Sequence, residues 1–461
     1  MKKNIAYGFF LALFALVSVA APLGSAPKAE ASGPTNKLIM IGGGDPNNQL
    51  AATSDVWMSN NNQGVQWTQL TANASWSARV NHQVQYFNGK IYLMGGLTTG
   101  SGTFMNDVWS SSDGVNWTQL TANAPWAGRI YFVSYVFNNK IYIAGGENST
   151  GDLSDVWSSS DGINWTQETA NAAFGQREQA MGVVFQNKMW LMGGQGPNGQ
   201  QSDVWRSTDG ITWTQTSNNA QWPSHLGASA VVFQNRIWVI GGYIGSGLFA
   251  NDVWRSGYIS GNTVQWVQVT PNALWSGRAD MSVASIGGNL MLLAGATGLT
   301  VHNDVYRSTY GATWTQQTAN APWTARSGQA VVVVPASFNI GTPCTPSVNV
   351  VSPNGGETFI ENQSITVNWT SSCNTGTLGI YLGYSANNNS IIDQWGPTSA
   401  IITTQGQISG STTLILSGLG FDHPGDFAPG NHYKIFIVEG QGNPYFATVY
   451  DSSDNFFTIN P

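Results

Sequence analysis

Residues 129–172 read RIYFVSYVFNNKIYIAGGENSTGDLSDVWSSSDGINWTQETANA, and this one stretch sets the fold. Arg129 opens an apolar run to Phe137, Asn138-Asn139 makes a two-residue turn, and Lys140 to Ala144 runs into Gly145-Gly146. Two β-rich runs joined by paired Asn form a hairpin, because Asn accepts the left-handed backbone that a tight turn needs. A loop from Glu147 to Ser154 leads to a third strand through Asp155-Val156-Trp157. Ser159-Ser160-Asp161-Gly162 then makes a second turn, and Trp165-Thr166-Gln167 begins a fourth strand. Short side chains that bond local amides suit such a turn, as does a glycine at positive φ. The unit is a four-stranded antiparallel meander.

The same landmarks recur six times. The glycine pair falls at Gly42-Gly43, Gly95-Gly96, Gly145-Gly146, Gly193-Gly194 and Gly241-Gly242, and degenerately at Ala294-Gly295. The Asp-Val-Trp aspartates are Asp55, Asp107, Asp155, Asp203 and Asp252, with Asp304-Val305-Tyr306 closing the series at spacings of 52, 48, 48, 49 and 52. A period near 50 marks a repeated unit that cannot bury its own faces alone. The first copy starts at Lys37 with what corresponds to a second strand, and Arg326 to Val334 supplies an orphan first strand. Joined, these two pieces complete one unit, which removes open sheet edges and closes a ring.

Paired glycines after the second strand, an aromatic in the third and a Trp in the fourth resemble the kelch repeat over residues 37–335. That resemblance implies an all-β fold: a six-bladed kelch-type β-propeller closed by a split blade, of the galactose oxidase/kelch kind. The turns Ser111 to Trp117, Ser159 to Trp165 and Ser207 to Trp213 also resemble the Asp-box of sialidases, although one residue shorter, and are read as turn chemistry.

The N-terminus reads as a secretory signal over residues 1–31. Lys2-Lys3 precede an apolar stretch, and Ala29-Glu30-Ala31 offers a small-residue cleavage site. A secreted, soluble and monomeric protein is expected, with no membrane span in the mature chain; an uncleaved anchor is the alternative. Without those residues the chain keeps 14 Lys and Arg against 23 Asp and Glu. Such a chain has no basic stripe for phosphates, which argues against nucleic acid as a partner. Cys344 and Cys373 are the two cysteines, and in an oxidising compartment one disulfide between them is expected.

The period stops near Gly341. A linker over 336–346 precedes a β-sandwich with an immunoglobulin-like pattern over 347–461. Its Ser352-Pro353-Asn354-Gly355-Gly356-Glu357 opening and Val367-Asn368-Trp369 strand resemble modules of the Ser/Thr-rich Kre9/Knh1-like cell-wall family. The resemblance implies an adhesion or spacer domain.

In a four-stranded blade, the second-to-third loops and the connections between blades share one face. Those loops vary most here, and variable loops on a rigid scaffold are where binding resides. Five connections end in Arg79, Arg129, Arg177, Arg278 and Arg326, with His225 in the sixth place. Two readings stand side by side: a crown of cations for a carboxylate or sulfate ligand, or ties that hold adjoining blades together. Trp126 and its equivalents Trp76, Trp222, Trp275 and Trp323 either stack on a ligand or pack between blades, with Phe174 in the sixth copy. Two residues past the Arg come Asn81, Tyr131, Gln179, Gly227, Asp280 and Gly328, expected at the inner lip of the axial funnel.

The expected partner is a surface glycan or an extracellular protein. No cofactor, metal site or catalytic residue is expected. The propeller has no cysteine, which excludes the Tyr–Cys copper site that the galactose-oxidase resemblance would otherwise imply. The rival reading is an enzyme on polysaccharide or sialosides that uses the Arg-rich mouth.

Overall fold

A computed structural model describes residues 36–45, 52–61, 63–98, 101–260, 263–341, 347–352, 358–360, 364–372, 377–384, 394–403, 409–415, 430–439, 449–452 and 457–460. Six four-stranded antiparallel sheets form blades around an axis. Blade 1 is the split one: Ala330–Val334 pairs with Lys37–Ile41, followed by Val56–Ser59 and Trp67–Thr71. Its register runs from Lys37↔Val334 to Ile41↔Ala330, so the two ends of the ring are sewn by a complete ladder. Blades 2 to 6 begin at Gln83–Phe87, Val133–Phe137, Met181–Phe185, Ser229–Phe233 and Ser282–Ile286. These innermost strands touch one another in a closed cycle.

Burial peaks at the second strand of each blade, is partial in the channel-lining first strand and falls away at the outer edge, and the sequence follows it. Each second strand is covered by a neighbouring blade on both faces and is almost wholly apolar: Leu38, Ile39, Met40 and Ile41 are all buried. Outermost strands such as Thr166–Thr169 are polar and mostly solvent-facing, because they are the free edge of the blade. The core is therefore six wedges, each drawn from two adjacent blades. A blade cannot form such a wedge alone, which is why the repeat must close.

The glycine pair has a geometric cause. At Gly42 and Gly43 φ is +57° and +94°, and a Cβ on Gly43 would lie 2.6 Å from Cβ of Gln329 in the neighbouring strand segment. Ala294 takes the first place of the pair in blade 6 at φ +59°.

Asp113, Asp161 and Asp209 hold the third-to-fourth turns by accepting from two backbone N–H groups each. Beyond Val334 the chain crosses to blade 2, where Phe338 packs edge-on to Tyr86 and the Gly341 N–H donates to the Asp113 carbonyl at 2.9 Å.

The C-terminal strands form two further sheets. Ser347–Ser352, Ser364–Ser372 and Ser409–Ile415 make one; the other is built around Thr377–Tyr384 and Gly430–Glu439. The proposed signal, Cys344 and Cys373 lie outside the described residues.

Candidate functional site: the mouth of the axial channel

Five of the six connections enter their blades through an arginine that works in two directions. The Arg79 backbone belongs to blade 1: its N–H donates to the Thr53 carbonyl at 3.3 Å, and its carbonyl accepts from Gly43 at 3.0 Å. Its guanidinium belongs to blade 2, donating to both Asp107 carboxylate oxygens at 2.6 and 2.8 Å and to the Gly95 carbonyl at 2.8 Å. Arg129–Asp155, Arg177–Asp203, Arg278–Asp304 and Arg326–Asp55 repeat this tie. Arg177 also donates to the Phe174 carbonyl. The five side chains have no more than 3% of their surface exposed. Of the two readings of these arginines, the geometry supports the tie: a buried bidentate pair offers nothing to a carboxylate ligand, and the one donor left over among the described residues, Arg177 Nε, is itself enclosed.

His225 fills the sixth place poorly. It stacks on Trp222 at an interplanar angle of 9°, and its Nε2 stands 3.4 Å from Asp252 Oδ1, with neither ring nitrogen hydrogen-bonded.

Trp126 is also inside. It is 1% exposed and meets Trp165 edge-to-face at 5.8 Å, with the Arg129 guanidinium over its ring. The same contact joins Trp76 to Trp117, Trp222 to Trp266, Trp275 to Trp314 and Trp323 to Trp67, with Phe174 on Trp213 in the sixth copy. These rings sit in the wedges between adjacent blades. The Trp of Asp-Val-Trp, by contrast, is only half-buried; in blade 3 the Trp157 indole N–H donates to Asp155 at 2.7 Å.

The six lip residues come together as expected, and in a conformation the sequence did not announce. Asn81, Tyr131, Gln179 and Asp280 have φ of +56°, +54°, +53° and +52°; Gly227 and Gly328 have +59° and +62°. Backbone amides link them around the axis: Asn81 donates to Gly328 at 2.7 Å, Gly328 to Asp280 at 3.2 Å, Asp280 to Gly227 at 2.8 Å, and Gln179 to Tyr131 at 3.0 Å. This belt demands the left-handed backbone at every station. All six residues line one cavity of about 270 Å³ on the axis, and no lysine or arginine among the described residues lines it.

Side chains lean over the preceding station. A Cβ on Gly227 would come within 2.5 Å of Asp280 Oδ1, and one on Gly328 within 2.4 Å of Asn81 Oδ1, so the two glycines leave room for these groups. Tyr131 lies across the belt from Asp280, facing the side-chain amides of Gln179 and Asn81. Burial first, and the Asp280 charge second, push the Tyr131 hydroxyl far above its usual range. Burial also raises the Asp280 carboxyl to about 6, and no donor reaches its oxygens among the described residues. Deeper in, polar groups bond one another: Gln85 donates to Ser134, and Gln329 to Ser282, although Gln329 Oε1 has no partner among the described residues. His82 beside the lip is buried, and burial together with Arg79 lowers it to about 3, so it carries no charge.

Glu178, which the sequence offers beside Tyr131 as an acidic partner for a sialidase-like site, meets other carboxyls instead. It is held at about 8 by burial and by its hydrogen bond to Glu147, with Asp152 and Asp280 adding like charge. The position after the connection Arg is Val80, Ile130, Ala279 or Ser327 elsewhere, and only blade 4 puts a carboxyl there.

The kelch-repeats domain of KLHDC2, KLHL20 and DRC7 matches residues 30–225, and the kelch motif matches residues 225–255. The chain carries kelch repeats. Within the kelch propeller, the connection arginines and tryptophans now stand as scaffold, and the lip is where the copies differ in chemistry. No curated protein matches the chain.

Proposed function

We propose that this kelch propeller is a non-catalytic recognition protein that holds a protein ligand at the loop-bearing mouth of its channel. One observation carries the reading: a belt that needs the left-handed backbone at six stations uses glycine at only two. A side chain other than Gly there costs on the order of 1 kcal/mol, least for Asn and Asp. Tyr131 and Gln179 bear that cost while their polar ends meet one another at the lip of the cavity. Strain retained at a cavity lip is characteristic of sites that present side chains to a ligand. The kelch repeats fit a protein-binding role in general. Export of the chain, and a spacer role for the C-terminal sheets, belong to the same proposal.

The test sets an array of cell-surface proteins beside a glycan array. Binding to a protein that is lost when Asn81, Tyr131 and Gln179 are all changed to Gly supports the reading. Loss only when the Asp113, Asp161 and Asp209 turns of the opposite face are altered overturns it. Capture by glycans alone would move the ligand class to carbohydrate.

A further inference from the structure

We infer that the ligand group seated at the channel mouth is a primary ammonium, the side chain of a lysine on a partner protein, with the Asp280 carboxylate as its counter-ion. The inference rests on the proposal that the mouth is the binding site and names the chemistry it selects.

Three observations lead there. The cations that the repeat places on this face are withdrawn from it, each arginine closed on its own aspartate with at most 3% of its side chain exposed. The cavity retains one carboxylate at its lip, Asp280, which has room over Gly227, lacks a donor among the described residues and is reached by solvent through the mouth. The other side chains of the lip supply further oxygen acceptors and no positive charge: the Tyr131 hydroxyl across the belt and the amides of Asn81 and Gln179. An ammonium has three donors and no acceptor, so a carboxylate ringed by hydroxyl and amide oxygens matches it. A guanidinium is a broad planar fork that wants a bidentate partner, and one carboxylate recessed at the lip of a narrow channel offers a poorer match. Beyond the lip, the half-buried Glu147 and Asp152 extend negative potential along the approach, which speeds and orients a basic partner, while Glu178, raised to about 8, keeps its proton at neutral pH.

The probe is a decalysine peptide, with its fully acetylated form, decaglutamate and a glucosamine oligomer for comparison, titrated calorimetrically against the full chain. Decalysine should bind and the acetylated and acidic peptides should not. Asp280→Asn should weaken decalysine binding by at least about tenfold, as for truncation of a desolvated charge pair. Asp209→Asn, which removes the same charge from the opposite face, should leave it unchanged. Equal weakening by both variants, equal binding of the acetylated peptide, or no decalysine binding overturns the inference. Tighter Asp280-dependent binding of the glucosamine oligomer overturns lysine as the source. If the acetylated peptide binds as well as decalysine yet Tyr131→Gly abolishes both, the mouth stands as the site and only the ammonium falls.

Discussion

Asp280→Asn should make the protein more stable, and only at pH values where the carboxyl would be charged. Protein surrounds this carboxyl on the belt, and burial raises it from 3.8 to about 6. A group whose pKa rises on folding favours the folded state only while it is protonated. The relative loss therefore grows as pH climbs from the unfolded value to the folded one and is constant above it. A shift of about two units corresponds to about 3 kcal/mol at neutral pH, about 1 kcal/mol near pH 4.5 and almost nothing near pH 3. Solvent entering through the mouth makes the neutral figure an upper bound. Asn is nearly isosteric and suits φ +52°, so the variant removes the charge without disturbing the belt. For a domain of this size the gain is roughly 5 °C in Tm at about pH 8, shrinking towards zero under acid conditions. Melting curves of both proteins across the pH range check it. A difference independent of pH, or a less stable Asn variant at high pH, would refute the reasoning: the carboxylate would then have a partner of its own and be closed to a ligand.

Arg129→Ala should cost about 3–5 kcal/mol in chemical denaturation, because it leaves Asp155 buried without its bidentate partner. His225→Arg should restore the sixth tie to Asp252 and raise stability by about 0.5–2 kcal/mol; a lower melting temperature would show that the site has lost the room for it. Glu178→Gln should leave stability unchanged below about pH 4.5 and raise it increasingly towards about pH 8, because burial and the Glu147 contact raise this carboxyl in the folded state. Melting at the two ends of that range, with a fixed buffer concentration, reads the difference.

The sequence by itself determined the fold down to its closure. Period, paired glycines and the orphan strand Arg326 to Val334 were enough to count six blades and join that strand to the one starting at Lys37, because blade pairing is local and only the last ladder is not; the register came from the structure. It also placed Asn81, Tyr131, Gln179 and Asp280 on one ring, since equivalent positions in a closed repeat must lie at equal distances from the axis. What it could not decide was the direction in which a side chain is used. Arg79 and Asp107 lie 28 residues apart, and whether that arginine faces the channel or folds back onto Asp107 depends on how the connection turns between two blades. Only tertiary structure settles that, and in settling it reverses the sign of the site. The basic crown is consumed inside the scaffold, and among the described residues the cavity lining keeps the charge of one aspartate.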